Sequence, residues 1–353
     1  MRIAQLAPLS ESVPPTEYGG TELVVSLLTE ELVKRGHDVT LFASGDSQTS
    51  AQLVSVTATA LRKNKDIAVH RWPAYDLTSL LKLKDMAHEF DIIHNHMGYQ
   101  ALPFAEEFDC KFVSTNHNPI KPYNAAIYSA YAYLPFIALS AAYKRLNLPD
   151  EINYISVVAN GIDLQKYNRT AFTHAKPSYL LFLGRVCADK GTAEAIEIAG
   201  KLSLPLKIAG KVDKADEEYF ETKVKPKLTL PGIEFIGEVD QAQKVDLYAN
   251  AIAVVYPIAF EEPFGLVMAE ALASGCPVMA FDRGSVREIL QDGKTAVIGS
   301  TVDELVLRFS EIQKIDRQAC RQAAEAFGKE AMTSKYEAVY AKLLNQPASM
   351  LVH

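Results

Sequence analysis

Cysteine is scarce and scattered: Cys110, Cys187, Cys276 and Cys320 show no short spacing that would build a zinc site or a disulfide framework, which points to a reducing, cytoplasmic home. Basic charge is short too. With 36 Lys and Arg against 43 Asp and Glu, the net charge of -7 argues against sequence-independent binding to nucleic acid. No run approaches the ~18 apolar residues of a membrane span, and residues 1–8 are too short in their apolar part for a signal peptide, so they read as a first strand. The small basic cluster Arg62, Lys63 and Lys65 lacks an apolar partner face and reads as a solvated loop rather than a membrane-surface helix. The full G-x-G-x-x-G fingerprint is missing as well, which makes a nicotinamide dehydrogenase the weakest enzymatic reading.

What is present is an alternation of short β-branched runs and amphipathic helical stretches. At 353 residues the chain exceeds the usual single-core range, so two domains of roughly 150–180 residues are expected. A polar, proline-containing loop at 11–18 leads to Gly19-Gly20-Thr21-Glu22, which opens a helix with Leu23, Val24, Leu27, Leu28, Leu32 and Val33 on one face. With the strand at 38–43 this makes a βαβ unit whose first turn carries a glycine pair, as in nucleotide-binding folds; the pair either admits a ligand or simply makes a tight turn. Further strands are read at 53–56, 136–140 and 155–158, and helices over 77–90 and 123–133.

Two strands, 91–96 and 111–117, end in histidine. Residues just past strand C-termini line the crevice of an open parallel sheet, so His96 and His117, with the adjoining Asn118, are site candidates by position. A hydrogen-bonded structural histidine is the alternative for each. His94-x-His96 could also spell a metal pair, but no matching Cys, Asp or Glu cluster accompanies it and no metal is expected.

Ala159-Asn160-Gly161-Ile162-Asp163 is a turn signal followed by a polar stretch to residue 176, which sets the expected domains at 1–165 and 166–329. The second half restarts with a strand at 179–183, the loop Gly184-Arg185 to Lys190-Gly191 and a helix over 192–202. Strands at 206–210, 234–237, 251–256 and 277–281 complete a second doubly wound parallel sheet. Arg185 and Lys190 lie between a strand end and a helix start, where cations and helix N–H groups can clamp phosphate; ordinary surface charge is the alternative. The amphipathic helix at 327–344 carries Tyr336, Val339, Tyr340, Leu343 and Leu344, and the tail after Gln346 reads as disordered.

The stretch Glu261-Glu262-Pro263-Phe264-Gly265-Leu266 to Glu270 follows an apolar strand. Pro263 suits the first position of a helix and Gly265 its first turn, giving bare N–H groups and a positive dipole end that favour an anion such as a diphosphate. The two carboxylates need another purpose. Were the spacing helical throughout, Glu262 and Glu270 would stand ~12 Å apart, beyond a shared-proton pair and beyond the ~5–9.5 Å of glycosidase carboxylates. Two polar groups on one elongated ligand fit better. The alternative is that Glu261 and Glu262 complement the dipole while Glu270 is a solvated helix residue.

Gly184-Arg185 with Lys190-Gly191, and Glu262-Pro263-Phe264-Gly265 with Glu270, resemble the donor-site motifs of glycosyltransferase family 4, the retaining GT-B enzymes. The resemblance spans nearly the whole chain and takes in Gly19-Gly20, Asn160-Gly161-Ile162-Asp163 and the C-terminal helix near 330–346, which in such folds crosses back to the first domain. It implies an α/β GT-B fold: two Rossmann-like doubly wound parallel-sheet domains facing across a cleft, the second holding a nucleotide-sugar donor and the first an acceptor. The implied activity is retaining, metal-independent transfer of a hexose from a substrate such as UDP- or GDP-hexose to an acceptor hydroxyl, with no cofactor.

The resemblance also distributes roles. Arg185 and Lys190 would bind the diphosphate and stabilise charge on the leaving nucleotide. Glu262 would hold sugar hydroxyls, the backbone at Gly184, Phe264, Gly265 and Leu266 would meet sugar and phosphate, Glu270 would accept from the ribose, and the loop at Val239 would meet the base. His117 would face the donor sugar, Gly19 and Gly20 would approach the diphosphate, and His96 and Asn118 fall on the acceptor side. Ala159 and Arg287 depart from the family pattern at positions where proline is common, which touches loop rigidity rather than a charged donor group. A nucleotide-sugar-binding partner protein without transfer, and a GT-B sugar-nucleotide epimerase, are the competing readings; base, sugar, acceptor and oligomeric state are left open.

Overall fold

The computed structural model describes residues 1–16, 19–146, 149, 151–167 and 177–345. They divide into two units, one made of Met1–Gly161 together with the chain from Lys329 onward, the other of Ile162–Gly328. Residues 168–176, on which the expected boundary stretch falls, and the tail from 346 lie outside the described residues.

The first unit is built on strands β1 (Arg2–Leu6), β2 (Asp38–Phe42), β3 (Gln52–Val54), β4 (Ile92–Asn95), β5 (Lys111–Thr115), β6 (Phe136–Ala138) and β7 (Tyr154–Val157). They form a parallel sheet in the order β3-β2-β1-β4-β5-β6-β7, with Ile3 opposite both Val39 and Ile92. Their near-continuous apolar composition follows from burial on both faces, which parallel sheets require. The helix Gly20–Lys34 and the C-terminal helix Lys329–Leu344 pack together, tied by Arg35 and by His37, whose Nε2 lies 2.8 Å from Glu337.

Several element bounds differ from the sequence expectation. The helix expected over 77–90 starts at Trp72, because Pro73 in its first turn is pre-set for helical φ and needs no N–H partner there, and it gives way after Met86 to a short 3₁₀ turn. The helix expected over 123–133 runs Pro122–Ala130 for the same reason. The strands expected at 53–56 and 136–140 are each cut to three residues, β3 and β6.

The second unit holds β8 (Tyr179–Leu183), β9 (Leu206–Ala209), β10 (Ile233–Gly237), β11 (Ala251–Tyr256), β12 (Val278–Phe281) and β13 (Ala296–Gly299), in the parallel order β10-β9-β8-β11-β12-β13. Strand β13 was not anticipated by the sequence reading; it pairs with β12 and buries Ala296, Val297 and Ile298. Leu180, Phe182, Ile196, Val255, Met279 and Val297 belong to this unit's core. Strand order reverses at β1/β4 in one sheet and at β8/β11 in the other, and such switch points open a crevice at the strand C-termini. Among the described residues no helix is long and apolar enough to cross a membrane.

Candidate active site

In the second unit the loops leaving β8 and β11 flank the switch point. Lys190, on the first, forms an ion pair with Oε2 of Glu262, on the second, and its ammonium stands 4.9 Å from the centroid of the Phe260 ring. Tyr256, the last residue of β11, donates its O–H to the same Oε2 at 2.9 Å. Burial first, and then the Glu262 charge, push the Tyr256 phenol well above its ordinary pKa, so it stays a donor. Glu262 Oε1 has no hydrogen-bond partner among the described residues. One lobe of the carboxylate is braced and the other is available.

The helix that sequence reading started at Pro263 begins instead at Leu266 and runs to Ala273. Gly265 is its N-cap at φ +81°, and a Cβ there would stand 2.7 Å from both Met268 Cε and Tyr256 Oη, so this residue must be glycine for reasons of both conformation and space. The span from Glu262 to Glu270 is therefore part loop and part helix. Leu266 and Val267, in the first turn, have no carbonyl one turn behind them and point their N–H groups out of the helix end.

A third loop, after β12, fixes this mouth and was not singled out as a scaffold by the sequence reading. Ser285 donates its N–H to the Glu262 carbonyl at 3.1 Å and its hydroxyl to the Phe264 carbonyl at 2.6 Å, while the Gly284 N–H is bonded to the Glu261 carboxylate. The Phe264 ring is buried and meets Phe327 edge to face at 5.7 Å. Little in the sequence hints at this, since both Ser285 contacts are to backbone carbonyls and Gly284 bonds through its own backbone N–H.

Glu270 is buried rather than solvated. Its Oε1 accepts from Lys244 at 3.0 Å and its Oε2 from Tyr248 at 2.9 Å. Burial is the leading cause that raises the Tyr248 and Tyr167 phenols, with the Glu270 charge next. Arg185 lies 3.4 Å from Asp216 and 3.7 Å from Asp213, with Lys211 2.9 Å from Asp213, so its guanidinium is poised by carboxylates while staying partly exposed. Gly184 accepts its place at the β8 end through its N–H to Ala209 O at 3.0 Å. Val239 borders a cavity of about 480 Å³ lined also by Tyr179, Lys207, Gln243 and Asp246, and by none of Arg185, Lys190, Glu262 or Glu270.

In the first unit, His96 is buried and bonds Gln5 and His117, each at 2.8 Å. His94 is also buried, bonding Tyr340 at 2.6 Å and Thr115 at 2.7 Å, so both ring nitrogens of His94 and of His96 are committed to protein partners. Burial holds all three imidazoles below their ordinary pKa, His117 at about 4. Asn118 is exposed, and its carbonyl accepts from Tyr143. Gly19 is the N-cap of its helix, packed close to Pro15, and Gly20 opens the helix.

Two doubly wound parallel-sheet units, of seven and six strands, fit the GT-B fold. Family models match consecutive parts of the chain: Glycosyltransferase Family 4 over residues 18–166 and Glycosyl transferases group 1 over residues 165–330. The chain belongs to glycosyltransferase family 4 and is a glycosyltransferase. It is 24% identical to a glycogen synthase of Mycobacterium tuberculosis, over 93% of this chain and 90% of that one. AviGT4, a glycosyltransferase involved in avilamycin A biosynthesis, superimposes with a TM-score of 0.74 at 25% identity, covering 98% of this chain and 99% of its own. A protein from Anabaena in complex with UDP and glucose shares the fold at a TM-score of 0.75 and 16% identity, over 97% of this chain and all of its own.

Proposed function

We propose that this glycosyltransferase moves a hexose from a nucleoside diphosphate sugar to an acceptor hydroxyl, with retention at the anomeric carbon and without a metal. The observation that carries the reading is the Lys190–Glu262 pair beside the open helix end at Leu266: a cation, a half-free carboxylate and bare N–H groups together suit a diphosphate joined to a polyol. The UDP and glucose held by the Anabaena relative are of that class.

In this reading Arg185 and Lys190 take the diphosphate. As the bond from the anomeric carbon to the phosphate oxygen breaks, negative charge grows on the departing nucleotide, and these two cations stabilise it, the task a metal performs in other transferases. Glu262 Oε1 accepts from a sugar hydroxyl, and Glu270, braced by Lys244 and Tyr248, keeps lone pairs for the ribose hydroxyls. The acceptor oxygen bonds to the anomeric carbon on the face the phosphate leaves, and the acceptor proton passes to the leaving phosphate oxygen. No protein nucleophile is required. Gly19, Gly20, His117 and Asn118 belong to the first unit's share of the substrates, with His117 facing the transferred sugar, while His96, expected on the acceptor side, has both ring nitrogens bonded within the protein and supports His117 instead.

The test is turnover of UDP-, GDP- and ADP-hexoses with a panel of hydroxyl acceptors in excess chelator, with the product anomer resolved by NMR. An inverted product, or activity that vanishes with the chelator and returns with metal, overturns the reading. Tight donor binding with no transfer over the panel identifies a binding partner protein instead.

A further inference from the structure

Under the C-terminal ends of β1, β4 and β5 runs one unbroken chain of side-chain hydrogen bonds. Tyr336 Oη lies 3.3 Å from Thr115 Oγ1, which lies 2.7 Å from His94 Nε2; His94 Nδ1 lies 2.6 Å from Tyr340 Oη. Gln5 Nε2 donates to Tyr340 Oη at 3.2 Å, Gln5 Oε1 lies 2.8 Å from His96 Nε2, and His96 Nδ1 lies 2.8 Å from His117 Nε2. Every member but His117 is buried. His117 Nδ1 has no hydrogen-bond partner among the described residues.

The donors and acceptors along this chain are not independent. A neutral imidazole offers one N–H and one lone pair, and a carboxamide oxygen only accepts. Gln5 Oε1 therefore requires a proton on His96 Nε2, which leaves His96 Nδ1 as an acceptor, and an acceptor there requires a proton on His117 Nε2. The lone pair of His117 is then on Nδ1, the free atom. The other arm agrees with the same polarity: with Gln5 Nε2 donating to Tyr340, the phenol can donate to His94 Nδ1, His94 Nε2–H to Thr115, and Thr115 to Tyr336. With the Gln5 carboxamide oxygen turned to His96 all members are satisfied in this one direction, and turning the carboxamide over would reverse every bond, so the polarity of the whole chain is set at Gln5.

We propose that Gln5 is a positioning residue: acting through His96, it fixes His117 in the Nε2–H tautomer, so that His117 meets the substrate only as an acceptor and takes a hydroxyl rather than a phosphate or carbonyl oxygen. The substrate half of this rests on the proposed function, in which His117 faces the transferred sugar. The tautomer half does not. Tyr340 has a supporting part, accepting the Gln5 amide N–H and passing the same polarity on to His94.

Histidine ¹⁵N spectra of the full chain at neutral pH read the tautomer directly, with the His117 signals assigned by their loss in His117→Gln. The expected result is a pyridine-type Nδ1 and a pyrrole-type Nε2 for His117. In Gln5→Met, which keeps the side-chain length without the amide, both nitrogens should move toward averaged shifts. Transfer kcat should fall about tenfold, the size of one neutral hydrogen bond, with the donor KM within about twofold. Tyr340→Phe should move the same signals in the same direction, and carries the test if Gln5→Met does not fold. A protonated Nδ1 in the unaltered protein, or unchanged His117 shifts in both folded variants, overturns the proposal. Shifts that move as expected in a protein that transfers no sugar uphold the tautomer assignment and overturn the functional reading instead.

Discussion

Lys190 and Tyr256 both engage the same oxygen of Glu262, one from the loop after β8 and the other from the end of β11, leaving the second oxygen of that carboxylate unbonded among the described residues. Glu262 is therefore oriented before any ligand arrives, and orientation is what a variant should lose. In Lys190→Ala the carboxylate keeps only the phenol, and the cation that meets developing charge is gone. Transfer kcat is expected to fall on the order of 100-fold, read as initial rates of nucleoside diphosphate release. A loss under about threefold would remove Lys190 from the chemistry.

Glu270 and Glu262 should fail differently. Glu262→Ala should depress transfer and blunt discrimination between hexoses, with nucleotide affinity little changed. Glu270→Ala leaves Lys244 and the Tyr248 hydroxyl without their carboxylate and should cost roughly 3 kcal/mol of stability, seen in urea unfolding, as well as weakening nucleoside diphosphate binding in a thermal-shift titration. The Glu270→Ala, Lys244→Met double variant should be less destabilised than the sum of the two single changes, since the two share one interaction.

Gly284 presses on the backbone of Glu262: a Cβ there would fall 2.4 Å from the Glu262 carbonyl oxygen and 2.5 Å from its nitrogen, at a φ of +53°. Neither backbone atom can swing aside as a side chain would. Gly284→Ala should therefore shift the Glu262 loop and reduce transfer more than Lys190→Arg does, although residue 284 bears no chemical group. Parallel kinetics on the two variants check this; equal rates for Gly284→Ala and the unaltered enzyme would contradict it.

Acid should destabilise the first unit through its histidines. His94, His96 and His117 all have folded-state pKa values below the ordinary 6.5, His117 at about 4, chiefly because burial disfavours the charged ring. The unfolded chain then binds protons that the folded chain refuses. The contribution is fully present above pH 6.5 and is lost as pH falls toward the folded values, at up to ~1.4 kcal/mol per pH unit for each ring. Urea midpoints measured from pH 7.5 to 4.5 should drop below 6.5, and the drop should be shallower in His117→Gln.

The fold was legible wherever a β-branched run sat between turn residues, as in Ala251–Tyr256, because a parallel strand buried on both faces leaves that signature. Strand β13 was missed because Ala296–Gly299 offers only two β-branched residues and ends in glycine. The helix after Glu262 was started too early because Pro263 and Gly265 each have a local rule favouring the first turn, and those rules do not register Gly284 and Ser285, which hold 262–265 as a loop from another strand's end. Lys190, Glu262 and Glu270 were legible as charges in loop and helix contexts. Their braces, Tyr256, Tyr248 and Lys244, were not, because nothing in a linear spacing shows which phenol or amine a fold will fold back onto a given carboxylate. The same blindness hid Gln5, an unremarked polar residue in the first strand whose meaning comes from Tyr340, more than three hundred residues away.

That distance bears on how the protein is made. The helix Lys329–Leu344 belongs to the first unit, yet the ribosome delivers it only after all of the second. Until then Gln5 and His94 lack the Tyr340 phenol, Thr115 lacks that of Tyr336, and Arg35 and His37 lack Glu337. Domains ordinarily fold in the order of synthesis. Here the half that begins first is completed last, and the nascent chain must carry an unfinished polar interior past the emergence of a whole second sheet.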